Sequence, residues 1–147
     1  SNCAVCVMHM QGEPGTMQQA PQYQNVVAEV RSFLTDAVER CRQAGIADQR
    51  IVVDPGFCFG KTLNHNLDLF SALTVAGVGE LPILVGLSRK SMLGVITGRP
   101  VGERLAGSVA AALLAAQKGA KILRVHDVAA TRDALAVWAA IEQREQE

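Results

Sequence analysis

The feature of this sequence that most restricts its fold is a fourfold repetition of a short apolar run, a polar tip directly behind it, and a helix-like stretch. The apolar runs begin near Ala4, Ile51, Ile83 and Ile122. Each is apolar on both faces, as a parallel strand covered by helices must be. The predicted class is α/β, with parallel strands and alternating helices. Units of roughly 30 to 50 residues suit a (β/α)8 TIM barrel, and a complete barrel takes ~250 residues. At 147 residues the chain amounts to half of one, read as a single domain over 1–147. An open sheet of four or five strands is the competing architecture, and periodicity alone does not separate the two.

Composition removes several function classes. With 49% hydrophobic and 19% charged residues there is material for a core, which excludes disordered and fibrous chains. Lysine and arginine equal aspartate and glutamate at 14 each, so no net field attracts a polyanion or an anionic lipid surface. Nucleic acid is therefore not an expected partner. The longest apolar runs, 110–116 and 134–140, fall short of the roughly 20 residues of a bilayer crossing, so no membrane is expected either. Cys3, Cys6, Cys41 and Cys58 include one C-x-x-C, without a second metal pair or a secretory leader. They read as reduced thiols of a cytoplasmic protein, used mostly in packing. Cys3 and Cys6 fall inside the first strand, where alternation sends them different ways rather than into a metal knuckle.

Residues 3–8 read as a strand and 11–22 as a long loop. Val26, Val30, Leu34, Ala37, Val38 and Cys41 recur at helical steps and predict an amphipathic helix ending near Gly45. Ile51 to Val53 is a β-branched strand closed by Asp54-Pro55-Gly56. A second helix is expected over 67–75 with Asn66 as its N-cap, then a strand over 82–87, a helix over 103–116 closed by Gly119, a strand over 121–125 and a last helix over 131–143. Polar residues gather behind every strand, at 9–13, 54–61, 88–91 and 124–127. In parallel α/β folds that edge binds ligands.

Asp54 ends an apolar strand, where its carboxylate can accept two hydrogen bonds from an amino-pyrimidine edge or simply cap the Pro-Gly turn. The stretch from Gly56 to Lys61 is glycine-rich with a lysine behind it, but lacks the spacing of a phosphate-binding loop. Phe57 and Phe59 suit either a cover over a flat ligand or the core. Ser88-Arg89-Lys90-Ser91 offers two cations and two hydroxyls at the binding edge; surface charge is the plain account, anion binding with help from the following helix the functional one. Arg124 and His126 alternate about Val125 and point to one side, a pairing suited to pyrophosphate. A strand-end histidine also serves structural roles. His65 reads as a loop or helix-start residue, and His9 fits either kind of role. No acid pair or serine triad suggests hydrolysis.

Taken together, Met8-His9-Met10-Gln11-Gly12, Asp54 to Lys61, Leu87-Ser88-Arg89-Lys90-Ser91 and Arg124-Val125-His126-Asp127 resemble bacterial dihydropteroate synthase. The likeness spans essentially the whole chain and the carboxyl-terminal half of that family's barrel, strands five to eight. It implies a folate-biosynthesis transferase in which p-aminobenzoate displaces pyrophosphate from (7,8-dihydropterin-6-yl)methyl diphosphate. Asp54 and Lys90 would bind the pterin, with Met8 packing on its ring. Ser91, Phe57 and the Lys90 stem would border the p-aminobenzoate or sulfonamide position. Arg124 and His126 would hold the departing pyrophosphate, with Ser91 assisting, so that Lys90, Arg124 and His126 carry the catalytic part.

The resemblance also implies Mg2+, held by the family's amino-terminal half and by no residue of this chain, and a homodimer formed through helices near the carboxyl end. Cys58 stands where the family commonly has glycine. The first-strand asparagine, the two mobile loops and further pterin-binding residues have no counterpart here. Four strands cannot close a barrel, so exposed edges and an uncovered inner face are expected, and so is a lack of synthase turnover by these residues alone. A part of a longer enzyme is the expected origin; a truncation, or two copies completing one barrel, are the competing accounts. A pterin-binding methyltransferase domain or a non-catalytic half-barrel are the alternative functions.

Overall fold

Parallel pairing organises the chain, whose computed structural model describes residues 2–13 and 15–145. β1 (Val5–Met8) lies beside β2 (Ile51–Asp54), with Val5 opposite Ile51 and Met8 opposite Asp54. β3 (Leu84–Val85) and β4 (Ile122–Leu123) pair in the same sense, Leu84 opposite Ile122 and Val85 opposite Leu123. A parallel bridge between Val53 and Ile83, with the Val53 N–H donating to the Pro82 carbonyl at 3.0 Å, joins the two pairs. The strands thus stand side by side in chain order with helices between them. This is half of a (β/α)8 barrel, of the parallel α/β class that the repetition predicts and not the open sheet that competed with it.

α1 (Val26–Gln43) forms because its apolar residues recur on one face and Asn25 caps it, the side chain accepting from the Ala28 N–H at 3.0 Å. Val30, Leu34 and Val38 are fully buried against Ile51 and Val53 of β2. The next helix differs from expectation. α2 (Leu63–Ser71) begins at Leu63 because Thr62 and His65 form a reciprocal capping box, each side chain accepting the other's backbone N–H at 3.2 Å. A break at Ala72 separates it from α3 (Leu73–Ala76). Asn66 is not the cap. It is a buried residue of α2, and His65 is the helix-start residue.

α4 (Ser91–Thr97) and α5 (Leu105–Gln117) follow β3, and Gly119 closes α5 with a φ of 93°. α6 (Val128–Glu145) starts three residues before the expected 131, because the Thr131 backbone N–H already closes a helical turn onto the Asp127 carbonyl at 3.1 Å, with its hydroxyl on the same oxygen at 2.9 Å. The strands expected over 82–87 and 121–125 form a mutual ladder of only two residues each, with Ile83 adding its bridge to Val53. Their flanks stay tied by single bonds, such as the Arg124 N–H to the Val85 carbonyl at 2.9 Å.

Helices cover one face of the arc. On the opposite face Cys6 is exposed and Ile122 is 39% exposed, the uncovered inner surface that a half-barrel entails. That face also corrects the reading of the cysteines. Cys41 and Cys58 pack against the core, whereas Cys3, which precedes β1, and Cys6 are exposed. Among the described residues no helix is long and apolar enough to cross a membrane. Leu34 is the largest aliphatic side chain of the α1 stripe and has no exposed surface. Leu34→Ala is expected to cost about 3 kcal/mol in urea unfolding, the cost of a cavity that packed neighbours cannot fill.

Candidate active site

Strand alternation delivers the first polar group. Ile51 and Val53 face the helices, and Asp54 ends the strand buried at 4% exposure. Its Oδ1 accepts the Gly56 N–H at 2.8 Å, so the turn-capping role is real. Oδ2 has no hydrogen-bond partner among the described residues, which leaves half of the carboxylate for a ligand. Burial pushes the carboxyl above its ordinary range, opposed by the Gly56 N–H and by the Lys90, Arg124 and Lys61 cations. Met8 lies directly opposite on β1.

The loop behind β2 is shaped by close approach. A Cβ on Gly56, whose φ is 70°, would overlap the His9 carbonyl oxygen. The Phe57 ring is fully buried, 5.9 Å from the Phe70 ring, so only its carbonyl reaches the rim. There it accepts from Lys90 Nζ at 2.6 Å, and Lys90 Nζ lies 4.5 Å from the centre of the Phe59 ring. Lys61 does not cradle a phosphate. Its buried ammonium donates to the carbonyls of Gly56 at 2.8 Å and Phe59 at 3.1 Å and contacts His9 Nδ1 at 2.9 Å, stapling the loop to the end of β1. Burial lowers Lys61 to about 8, and burial together with the Lys61 charge lowers His9 to about 4. Asn66 completes the loop, its Oδ1 accepting from the Cys58 N–H at 2.8 Å and its Nδ2 donating to the Thr62 carbonyl at 2.7 Å.

The turn after β3 carries Lys90. Arg89 adopts a left-handed φ of 58° and is held on every side. Its N–H donates to Ser108 Oγ at 2.9 Å, Arg104 donates to its carbonyl at 2.9 Å, and its guanidinium meets Asp127 in a forked pair at 2.8 and 3.3 Å. Arg89 is thus a structural cation. Burial pushes the Lys90 ammonium below the ordinary lysine range, opposed by Cys58 and Asp54. Lys90, Arg124 and His126 line one cavity of about 250 Å³ together with Gly86, Ser88 and Val125. Ser91 is exposed at the start of α4 and is not part of that lining.

The rim therefore gathers Met8, Asp54, Lys90, Arg124 and His126, with Ser91 beside it and the Phe57 ring withdrawn into the core. The donor set does not fit Mg2+. Asp54 is ringed by three cations and Asp127 is paired with Arg89, and among the described residues no group of three acidic, histidine or cysteine side chains could hold a metal.

Residues 1–126 match the family of pterin binding enzymes. The chain belongs to that family. It is 53% identical over 136 residues to the dihydropteroate synthase of Haemophilus influenzae, covering 92% of this chain and 50% of the relative. To that of Neisseria meningitidis serogroup C it is 54% identical over 144 residues, covering 96% and 50%. The crystal structure of Burkholderia cenocepacia dihydropteroate synthase complexed with 7,8-dihydropteroate superposes with a TM-score of 0.92 at 50% identity, over 97% of this chain and 54% of that one. The chain spans about half the length of the curated relatives it matches.

Within this member of the pterin binding enzyme family, reasoning from sequence passed over Lys61 as a loop staple, Asn66 as a loop anchor, and the Arg89–Asp127 pair. The signal for the pair was present, since both are side chains of opposite charge standing beside site residues in neighbouring tips. Asn66→Ala leaves the Cys58 N–H unpaired, and urea unfolding should show a loss of about 2 kcal/mol. His9 supplies a pH test. Its folded value of about 4 lies below the ordinary 6.5, so over that interval the unfolded chain binds the proton and the folded chain does not. Stability falls as pH drops from 6.5 toward 4, and His9→Gln should lose less stability between pH 7 and pH 5 than the unaltered protein.

Proposed function

We propose that this chain is the carboxyl-terminal half, over 1–147, of a pterin-binding barrel domain that makes dihydropteroate. One observation carries the reading: two cations of the cavity lined by Lys90, Arg124 and His126, namely Lys90 and Arg124, act electrostatically on a buried carboxylate, Asp54, whose second oxygen has no hydrogen-bond partner among the described residues. A carboxylate so placed takes paired N–H donors from a 2-amino-4-oxo pyrimidine ring, and a cationic cavity beside it takes the diphosphate tail of the same molecule.

In the reaction, the amine nitrogen of p-aminobenzoate bonds to the pterin methylene carbon as the carbon–oxygen bond to diphosphate breaks. The electron pair leaves with pyrophosphate and the amine gives up one proton. Positive charge grows on the methylene, where the electron-rich pterin spreads it, and negative charge grows on the phosphates. Arg124 and His126 stabilise the latter from fixed positions, a contribution usually worth several kcal/mol. Lys90, held between the Phe57 carbonyl and the Phe59 ring, reaches toward the pterin, and Met8 packs on its face. Ser91 and the Lys90 stem border the p-aminobenzoate position, with Phe57 supporting the lysine from below. Two relatives add support: a Xanthomonas albilineans synthase binds 4-aminobenzoic acid, and one from Yersinia pestis binds a sulfonamide drug. A methyl-transferring pterin protein releases no diphosphate and gives a cavity holding the Lys90 and Arg124 cations and the His126 ring no task.

The same reading carries a cytoplasmic location, a magnesium requirement met by residues outside this chain, and a homodimer through α5 and α6, whose Leu114, Val137 and Ile141 stay exposed. The test is calorimetry on the native protein. Asp54→Asn should weaken binding of the pterin methyl diphosphate, and Arg124→Ala the binding of inorganic pyrophosphate, each about 10- to 100-fold, the worth of one charged hydrogen bond. If both affinities stay unchanged, the assignment fails.

A further inference from the structure

The pairing of β3 with β4 keeps one offset, Leu84 opposite Ile122 and Val85 opposite Leu123. Carried past the ladder, the same offset sets Gly86 against Arg124 and Ser88 against His126. Both contacts exist. A Cβ on Gly86 would lie 2.9 Å from Arg124 Nη2, so the guanidinium rests on a bare backbone. The Ser88 hydroxyl oxygen lies 3.2 Å from the His126 backbone nitrogen and 2.9 Å from its Nδ1.

The second pair of contacts has a chemical consequence. A hydroxyl has one hydrogen and two lone pairs, and a backbone N–H can only donate. The oxygen therefore accepts from the His126 N–H, and its own hydrogen remains for Nδ1. Among the described residues the Ser88 hydroxyl has no other acceptor, and the side chain is buried at 7% exposure. A neutral imidazole that accepts at Nδ1 carries its proton on Nε2, at the ring edge turned away from Ser88. The opposite tautomer would offer a lone pair to any anion lying beside Arg124.

The geometry points to Ser88 as a positioning residue that fixes His126 in its Nε2–H tautomer, so that an anion in the cavity meets a donor from the ring as well as from Arg124. The inference rests on reading that cavity as a diphosphate site. Two measurements on the native protein separate them. Nitrogen-15 labelling of histidine, with His126→Gln to assign the signal, reads the tautomer without ligand at a pH where the ring is neutral. Calorimetry with inorganic pyrophosphate reads the anion site.

The wild type and Ser88→Thr should show the Nε2–H form, and Ser88→Ala a mixture of both. Pyrophosphate affinity should fall about three- to tenfold in Ser88→Ala, less than the worth of a charged hydrogen bond because the ring itself remains, and return to within about twofold in Ser88→Thr. A proton on Nδ1 in the wild type overturns the inference without recourse to a variant, even if Ser88→Ala does not fold. So does a folded Ser88→Ala that keeps the Nε2–H form alone. A wild type with the Nε2–H form that binds no pyrophosphate overturns the diphosphate reading, and with it the task assigned to the ring.

Discussion

The ladder between neighbouring parallel strands fixes direction and register together, and the rim depends on both. With the Val53 N–H on the Pro82 carbonyl and the Arg124 N–H on the Val85 carbonyl, each strand can discharge its polar tip only at the shared carboxyl end. Residues far apart in sequence, Asp54, Lys90, Arg124 and His126, then meet without any local element joining them. A slip of one residue between β3 and β4 would turn Arg124 off Gly86 and His126 off Ser88 at once, because alternate side chains face opposite ways.

That convergence concentrates positive charge where solvent is scarce. Lys61, Lys90 and Arg124 share the neighbourhood of one carboxylate, and burial alone would press each lysine toward its neutral form. The chain resolves this unevenly. Lys61 is surrounded by backbone carbonyls and the His9 ring and becomes part of the scaffold. Lys90 has one carbonyl and one ring face, with the remaining donors open to the cavity side. Two lysines, Lys61 buried and Lys90 half-buried, thus take different work, decided by how many acceptors the loop places around each.

How much of this was legible follows from what kind of interaction fixes each part. The parallel class, the α1 stripe and the gathering of polar tips behind strands are written in local periodicity, and the structure agrees. Boundaries set by side-chain hydrogen bonds were not: Thr62 and His65 cap α2 through a box whose third residue is histidine rather than glutamate, so Asn66 drew the assignment instead. Lys61 and Asn66 were illegible as anchors because their partners, His9 and Cys58, come into reach only after the chain has folded. The Phe57 ring was open between core and ligand on sequence grounds, and long-range packing against Phe70 settled it.

Backbone strain marks the same rim. Among the described residues the two non-glycine positions with left-handed backbone are Cys58 and Arg89, at φ 65° and 58°, one in each loop that bears on Lys90. Such a conformation costs a side chain of the L form roughly 1–2 kcal/mol and persists only where neighbours over-determine it. Arg89 has Ser108, Arg104 and Asp127 to hold it, and Cys58 has Asn66 on its N–H and Gln18 on its carbonyl. A glycine at position 58 would adopt this turn freely. With cysteine the turn is instead held from outside, and the loop that presents the Phe57 carbonyl to Lys90 depends for its shape on an asparagine in the following helix and a glutamine in the loop after β1.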